Sequence, residues 1–135
     1  MKNLIRCYHK FIVVISLAVA SLSGTVIGEA SPSYVSNLID AVALAENTDS
    51  DILVIFTADW CGACQKMKKD IETDESGTLS KHIVCYIDYD NNKQLVREYN
   101  VKKIPHYFIL RKRKEIKKQT GYKNFPHFRK WVKDE

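Results

Sequence analysis

Two cysteines three residues apart, Cys61 and Cys64, follow directly on Trp60 in the stretch Phe56-Thr57-Ala58-Asp59-Trp60-Cys61-Gly62-Ala63-Cys64-Gln65-Lys66-Met67. Such a pair suits thiol–disulfide chemistry, because the spacing brings two sulfurs into bonding range with little strain. The flanking residues indicate how the pair is held. Ile52 to Phe56 is a continuous apolar run of strand length, and from Cys64 onward the spacing turns helical, with Met67 and Ile71 four apart among Lys and Asp. The cysteines are therefore expected at a helix N-terminus, where unpaired backbone N–H groups and the positive end of the helix dipole favour an anion. A thiolate stabilised in this way is a nucleophile at neutral pH.

The rest of the chain narrows the chemistry. Its 135 residues suit one domain with a real core. No second CxxC and no Cys-His pair with zinc spacing accompanies the first, so the sequence implies no metal centre. His82, His106 and His127 read as strand or helix surface residues. Of the remaining cysteines, Cys85 lies in an apolar run and reads as a small core residue, with a reactive thiol as the other reading. One pair plus an odd cysteine points to a redox pair and a bystander, not a disulfide framework.

Lys2, Arg6 and Lys10 precede an apolar run from Phe11 to Val19 that continues through small residues to Ile27, then Gly28-Glu29-Ala30. That order is expected of a secretory signal cleaved after Ala30, which divides the chain into a leader at 1–30 and a domain at 31–135. An uncleaved membrane anchor is the other reading, since 11–27 approaches the length of about 17 residues that a span requires. Cys7 would be lost with a cleaved leader. The formal net charge of +5 falls to +3 once the three basic residues and one acidic residue of 1–30 are set aside. That excess suits solubility and a loose preference for acidic partners, and it does not indicate nucleic-acid binding.

Within the domain, Ser31 to Asp51 is expected to form a helix capped by Ser31 or Ser33, with Leu38, Ile39, Val42 and Ala45 on its inner face and no room for a full strand before it. Strands are expected at Ile52–Phe56, His82–Asp88, His106–Leu110 and Glu115–Thr120. A short helix carrying Leu95, Val96 and Tyr99 follows the Asp90-Asn91-Asn92 turn. A last helix opened by Pro126 carries Phe125, Phe128, Trp131 and Val132. The basic connection Arg111-Lys112-Arg113-Lys114 reads as a solvated hairpin beside a lysine-guarded sheet edge, with a nucleic-acid or membrane patch as the alternative.

Trp60-Cys61-Gly62-Ala63-Cys64 behind an apolar strand, with Ile104-Pro105 further on, resembles the thioredoxin superfamily from about Asp51 to the C-terminus. The resemblance implies an α/β thioredoxin fold, a central mixed four-stranded sheet flanked by helices. It also implies a thiol–disulfide oxidoreductase, with Cys61 as exposed nucleophile, Cys64 as resolving cysteine and no cofactor beyond that redox pair. The substrates implied are disulfide-containing proteins, and a soluble or membrane thiol donor would supply the electrons. Pro105 is expected in cis opposite the cysteines, with the backbone of Ile104 pairing with an extended substrate segment. Gly121 matches a glycine where a side chain would obstruct the substrate, while Trp60, Gly62 and Ala63 shape the site, Trp60 as an apolar wall.

Three departures from the family pattern stand out. The buried aspartate that relatives carry six residues before the first cysteine is Ile55 here, and its lysine partner falls near Val84. That removes a proton acceptor for Cys64. Ala63 stands in place of the usual proline, which should alter the redox poise. The leading expectation is an exported, monomeric disulfide reductase. The alternatives are an oxidising or isomerising exchanger, and a binding or chaperone module with inert cysteines.

Overall fold

The computed structural model describes residues 31–134; the expected leader at 1–30 and Glu135 lie outside the described residues. The expected apolar run forms the middle of β2 (Asp51–Thr57), where Ile52 to Phe56 are all buried. A strand can bury both faces only between two neighbours with helices above and below. β2 has β3 (His82–Asp88) beside it in parallel and β4 (His106–Arg111) on the other side, antiparallel. Each of its large apolar side chains contributes on the order of 2 kcal/mol by leaving water.

The sheet has five strands, not four, in the order β1-β3-β2-β4-β5. The extra one is β1 (Ser33–Val35), paired in parallel with Ile83–Cys85 at the free edge of β3. Residues expected to start the helix are therefore extended. The helix α1 (Leu38–Thr48) begins only after Asn37, whose side-chain oxygen accepts the Ile39 N–H at 2.8 Å. Asn is a strong N-cap, whereas the β3 edge offers Tyr34 and Val35 backbone partners that a helix start would leave unmet. Tyr34 also stacks on Tyr86, with ring centroids 6.3 Å apart. The inner face of α1 is consequently Leu38, Ala41, Val42 and Ala45, and Ile39, expected on it, is 77 % exposed.

Among the described residues, four helices cover the sheet. α1 and α3 (Lys93–Glu98) bury Ala41 and Val96 against Val54, Phe56, Cys85 and Phe108. On the other face α2 (Gly62–Glu72) and α4 (Phe125–Lys133) bury Met67, Ile71, Phe128 and Val132 against Leu53, Ile55 and Tyr107. Asn124 caps α4 by accepting the His127 N–H, just before Pro126. Cys85 is fully buried in the first core, and burial pushes its thiol up to about 12, as a packing residue requires.

β4 turns into β5 (Lys114–Thr120) through Lys112 and Arg113, both at positive φ. That two-residue turn matches the right-handed twist of the hairpin. Arg111 is paired with Asp51 and Arg113 with Glu46, so the basic connection is a hairpin tied back to the domain. Two histidines differ from the sequence reading. His106 is buried beside Phe56 and Phe108, its Nδ1 2.7 Å from Thr120 Oγ1, and His82 is half-buried. Burial lowers both pKa values. His127 is exposed as expected.

Candidate active site

The chain leaves β2 at Thr57 and turns tightly, the Cys61 N–H donating to the Ala58 carbonyl at 3.1 Å. Cys61 then becomes the N-cap of α2. Its Sγ accepts the Cys64 N–H at 3.2 Å, and its carbonyl accepts the Gln65 N–H at 3.0 Å. The sulfur thus takes the place that a serine or aspartate oxygen usually fills at a helix start, and that favours negative charge on it. Cys61 and Cys64 are joined as a disulfide with their Cα atoms 5.2 Å apart. Cys61, expected to be exposed, is only 7 % exposed, and Cys64 is 2 % exposed. The first cysteine forms the accessible edge of the pair, and the second lies beneath it. Ala58, Tyr89 and Ile104 pack around them.

Ile104 arrives on the loop before β4. The Ile104–Pro105 peptide bond is cis, and the Pro105 carbonyl accepts the Gly121 N–H at 2.7 Å. This hydrogen bond joins two loops that are distant in sequence. A Cβ at Gly121 would meet nothing within 4 Å, so space does not demand glycine there in the chain alone; its φ of +84° does. Gly62 and Ala63 are exposed in the first turn of α2.

Trp60 is no part of the core: it is 67 % exposed, and its indole N–H donates to Asp90 Oδ2 at 2.7 Å. Lys93 also holds Asp90, at 3.1 Å, and the two contacts, the Trp60 hydrogen bond first, draw the Asp90 carboxyl below its ordinary range. Asp59 is exposed, and its backbone carbonyl accepts a hydrogen bond from the Gln65 side chain. The position beside Ile55 differs from the sequence reading. The β2–β3 register sets Ile55 against Tyr86, whereas Val84 lies against Leu53. Tyr86 presents a buried hydroxyl without a partner, and burial raises its pKa, so it stays neutral. Ile55 brings no carboxylate into this core.

Sequence reasoning missed a clamp between the Gly121 loop and the cysteine helix. The Tyr122 hydroxyl donates to Asp70 Oδ2 at 2.6 Å, and Lys66 pairs with the same oxygen at 3.1 Å. These contacts, the tyrosine first, hold the Asp70 carboxyl below its ordinary range. Tyr122→Phe should destabilise the fold by about 1 kcal/mol, a charged hydrogen bond discounted for its wet surroundings. Because the folded pKa of Asp70 is depressed, the stabilisation is present above the unfolded carboxylate value of about 3.9 and is lost as pH falls through the folded value. Urea midpoints of both forms, compared at neutral and acid pH, should converge in acid.

Among the described residues, no group of three His, Cys, Asp or Glu side chains is placed to hold a metal. The working chemistry is the sulfur pair, and its setting defines a disulfide-exchange centre at the strand–helix junction of a thioredoxin fold. Comparison with known proteins agrees. The family model described as Thioredoxin matches residues 38–134, and the chain belongs to the thioredoxin family. Thioredoxin-1 of Drosophila melanogaster is 30 % identical over 77 residues, covering 56 % of this chain and 72 % of the relative. Thioredoxin of Bacillus subtilis is 28 % identical over 79 residues, 58 % of this chain and 76 % of its own. The crystal structure of the Drosophila germline-specific thioredoxin Deadhead superimposes with a TM-score of 0.62 at 25 % identity, over 75 % of this chain and 97 % of that one. The protein is a thioredoxin-like thiol–disulfide oxidoreductase with Cys61 and Cys64 as its redox pair.

Proposed function

We propose that this chain reduces protein disulfides outside the cytoplasm. The observation that carries the reading is the Cys61 sulfur itself, capping α2 at the accessible edge of the pair with the Cys64 N–H donated to it. In the reduced form Cys61 attacks a substrate disulfide as thiolate, displacing one substrate thiolate and forming a mixed disulfide. Cys64 then attacks the Cys61 sulfur, releasing the second substrate thiolate and restoring the internal disulfide. Two electrons pass to the substrate. A soluble or membrane thiol donor returns them, and no cofactor beyond the sulfur pair is needed.

The substrate lies as an extended segment along the backbone of Ile104 beside Pro105, with Gly121 closing the far side. Trp60 forms the near wall, and the small side of Gly62 and Ala63 lets the segment approach Cys61. Residues 1–30 act as the export signal, by the order of their basic, apolar and small residues. The chain works as a monomer on proteins, without nucleic acid. Equilibrating the Cys61/Cys64 pair in glutathione buffers tests the direction. A reductant settles near the thioredoxin value of about −270 mV, while a value near −120 mV would mark an oxidant and overturn the reducing assignment.

A further inference from the structure

The end of the molecule that carries the disulfide is unevenly charged. On the Trp60 side stand the carboxylates of Asp59 and Asp90, the latter engaged by the Trp60 indole and Lys93. A second group beside the site is basic. It comes from the two segments that meet where the Gly121 N–H donates to the Pro105 carbonyl. The first brings Lys102 and Lys103 immediately before Ile104, which packs on the cysteines, and the second brings Lys123 two residues after Gly121. All three lysines are exposed, and among the described residues none of the three has a carboxylate within ion-pair distance. Lys66, one turn into the cysteine helix, differs in being paired with Asp70. The unpaired positive charge is therefore carried by the two segments that form the wall of Ile104, Pro105 and Gly121.

We propose that this wall selects substrates whose disulfide is flanked by acidic residues. The inference rests on the exchange reading above, in which the substrate segment runs along Ile104–Pro105. An extended segment advances about 3.3 Å per residue, so carboxylates within about three residues of the reacting cysteine fall alongside Lys102, Lys103 and Lys123. Exposed ion pairs are individually weak in a folded chain, but in an encounter they act together on the association rate and are screened by salt. Basic flanks meet the same three charges with repulsion. The wall thus discriminates by sign, where backbone pairing along Ile104 is indifferent to side chains.

The test uses two synthetic peptides with a single cysteine capped as its 2-pyridyl disulfide, one flanked by glutamates and one by lysines. The reduced full-length protein is mixed with each, and the release of pyridine-2-thione is followed. Cys61 attacks the peptide sulfur and expels the thione, and Cys64 then releases the peptide thiolate, the enzyme dithiol supplying both electrons. At low ionic strength the glutamate peptide should react about five-fold faster or more, and the preference should collapse at high salt. In the Lys102→Glu, Lys103→Glu, Lys123→Glu variant the ratio of the two rates should invert. Equal rates for the wild-type chain at low salt, or a ratio unmoved by the three reversals, would overturn the inference while leaving disulfide exchange intact. No reaction with either peptide or with a small neutral disulfide would overturn the exchange reading, and this inference with it.

Discussion

Replacing Cys61 with Ser should reduce exchange with protein disulfides on the order of 10³-fold or more, because a serine hydroxyl at this helix start stays protonated where a thiolate would form. Cys64 cannot take over, since it lies beneath Cys61 with only 2 % of its surface exposed. The converse change, Cys64→Ser, should stop turnover in a different way. Cys61 still attacks, but the group that would resolve the mixed disulfide is gone. Resolution inside the chain benefits from effective concentrations of about 10⁵ M or more, which no added thiol approaches. The substrate should therefore remain covalently attached and run with the protein on a non-reducing gel. Turnover retained in Cys61→Ser, or no trapped species with Cys64→Ser, would contradict the assignment of roles.

The second large effect concerns the position where relatives carry a buried aspartate. Ile55→Asp should destabilise the fold by about 3 kcal/mol or more at neutral pH. The change removes a buried apolar side chain and places a carboxylate in the apolar core with Leu53, Met67 and Phe128. The register brings Tyr86 alongside, so one hydroxyl donor is available, while the Lys68 ammonium over the Tyr86 ring, 5.3 Å from its centroid, is half in solvent. The new carboxyl should titrate well above the ordinary carboxylate value of about 3.9. A folded-state pKa raised in this way makes the variant relatively more stable in acid, with stability falling as pH rises from the unfolded value to the folded one. Urea denaturation across that range measures it. An unchanged midpoint at neutral pH would show that the site already tolerates charge, and the reading of Ile55 as part of a purely apolar core would be wrong.

Much of the site could be read from local chemistry. Ile52 to Phe56 reads as a strand from its apolar run of strand length. The helical spacing behind Cys64 put the cysteines at a helix start, and the observed cap confirms that placement through the Cys64 N–H. What escaped depends on partners far away in the chain. β1 is three residues long with two exposed positions, and it exists because β3 has an edge to fill. Tyr122 meets Asp70 across 52 positions and Trp60 meets Asp90 across 30, so no window of sequence contains either pair. His106 looks like any polar residue opening a strand until Phe56 and Phe108 close around it. The residue beside Ile55 is Tyr86, two positions beyond Val84, because register is set by the whole β2–β3 ladder.

The redox pair, the fold and the family are mutually consistent, and turnover is the step that joins them. The most direct test is the reduction of insulin by the chain beginning at Ser31, with dithiothreitol as electron source and precipitation of the freed chains as readout. The account predicts a rate that rises in proportion to the added protein and returns to the uncatalysed level with Cys61→Ser. A wild-type rate no faster than dithiothreitol alone would contradict it.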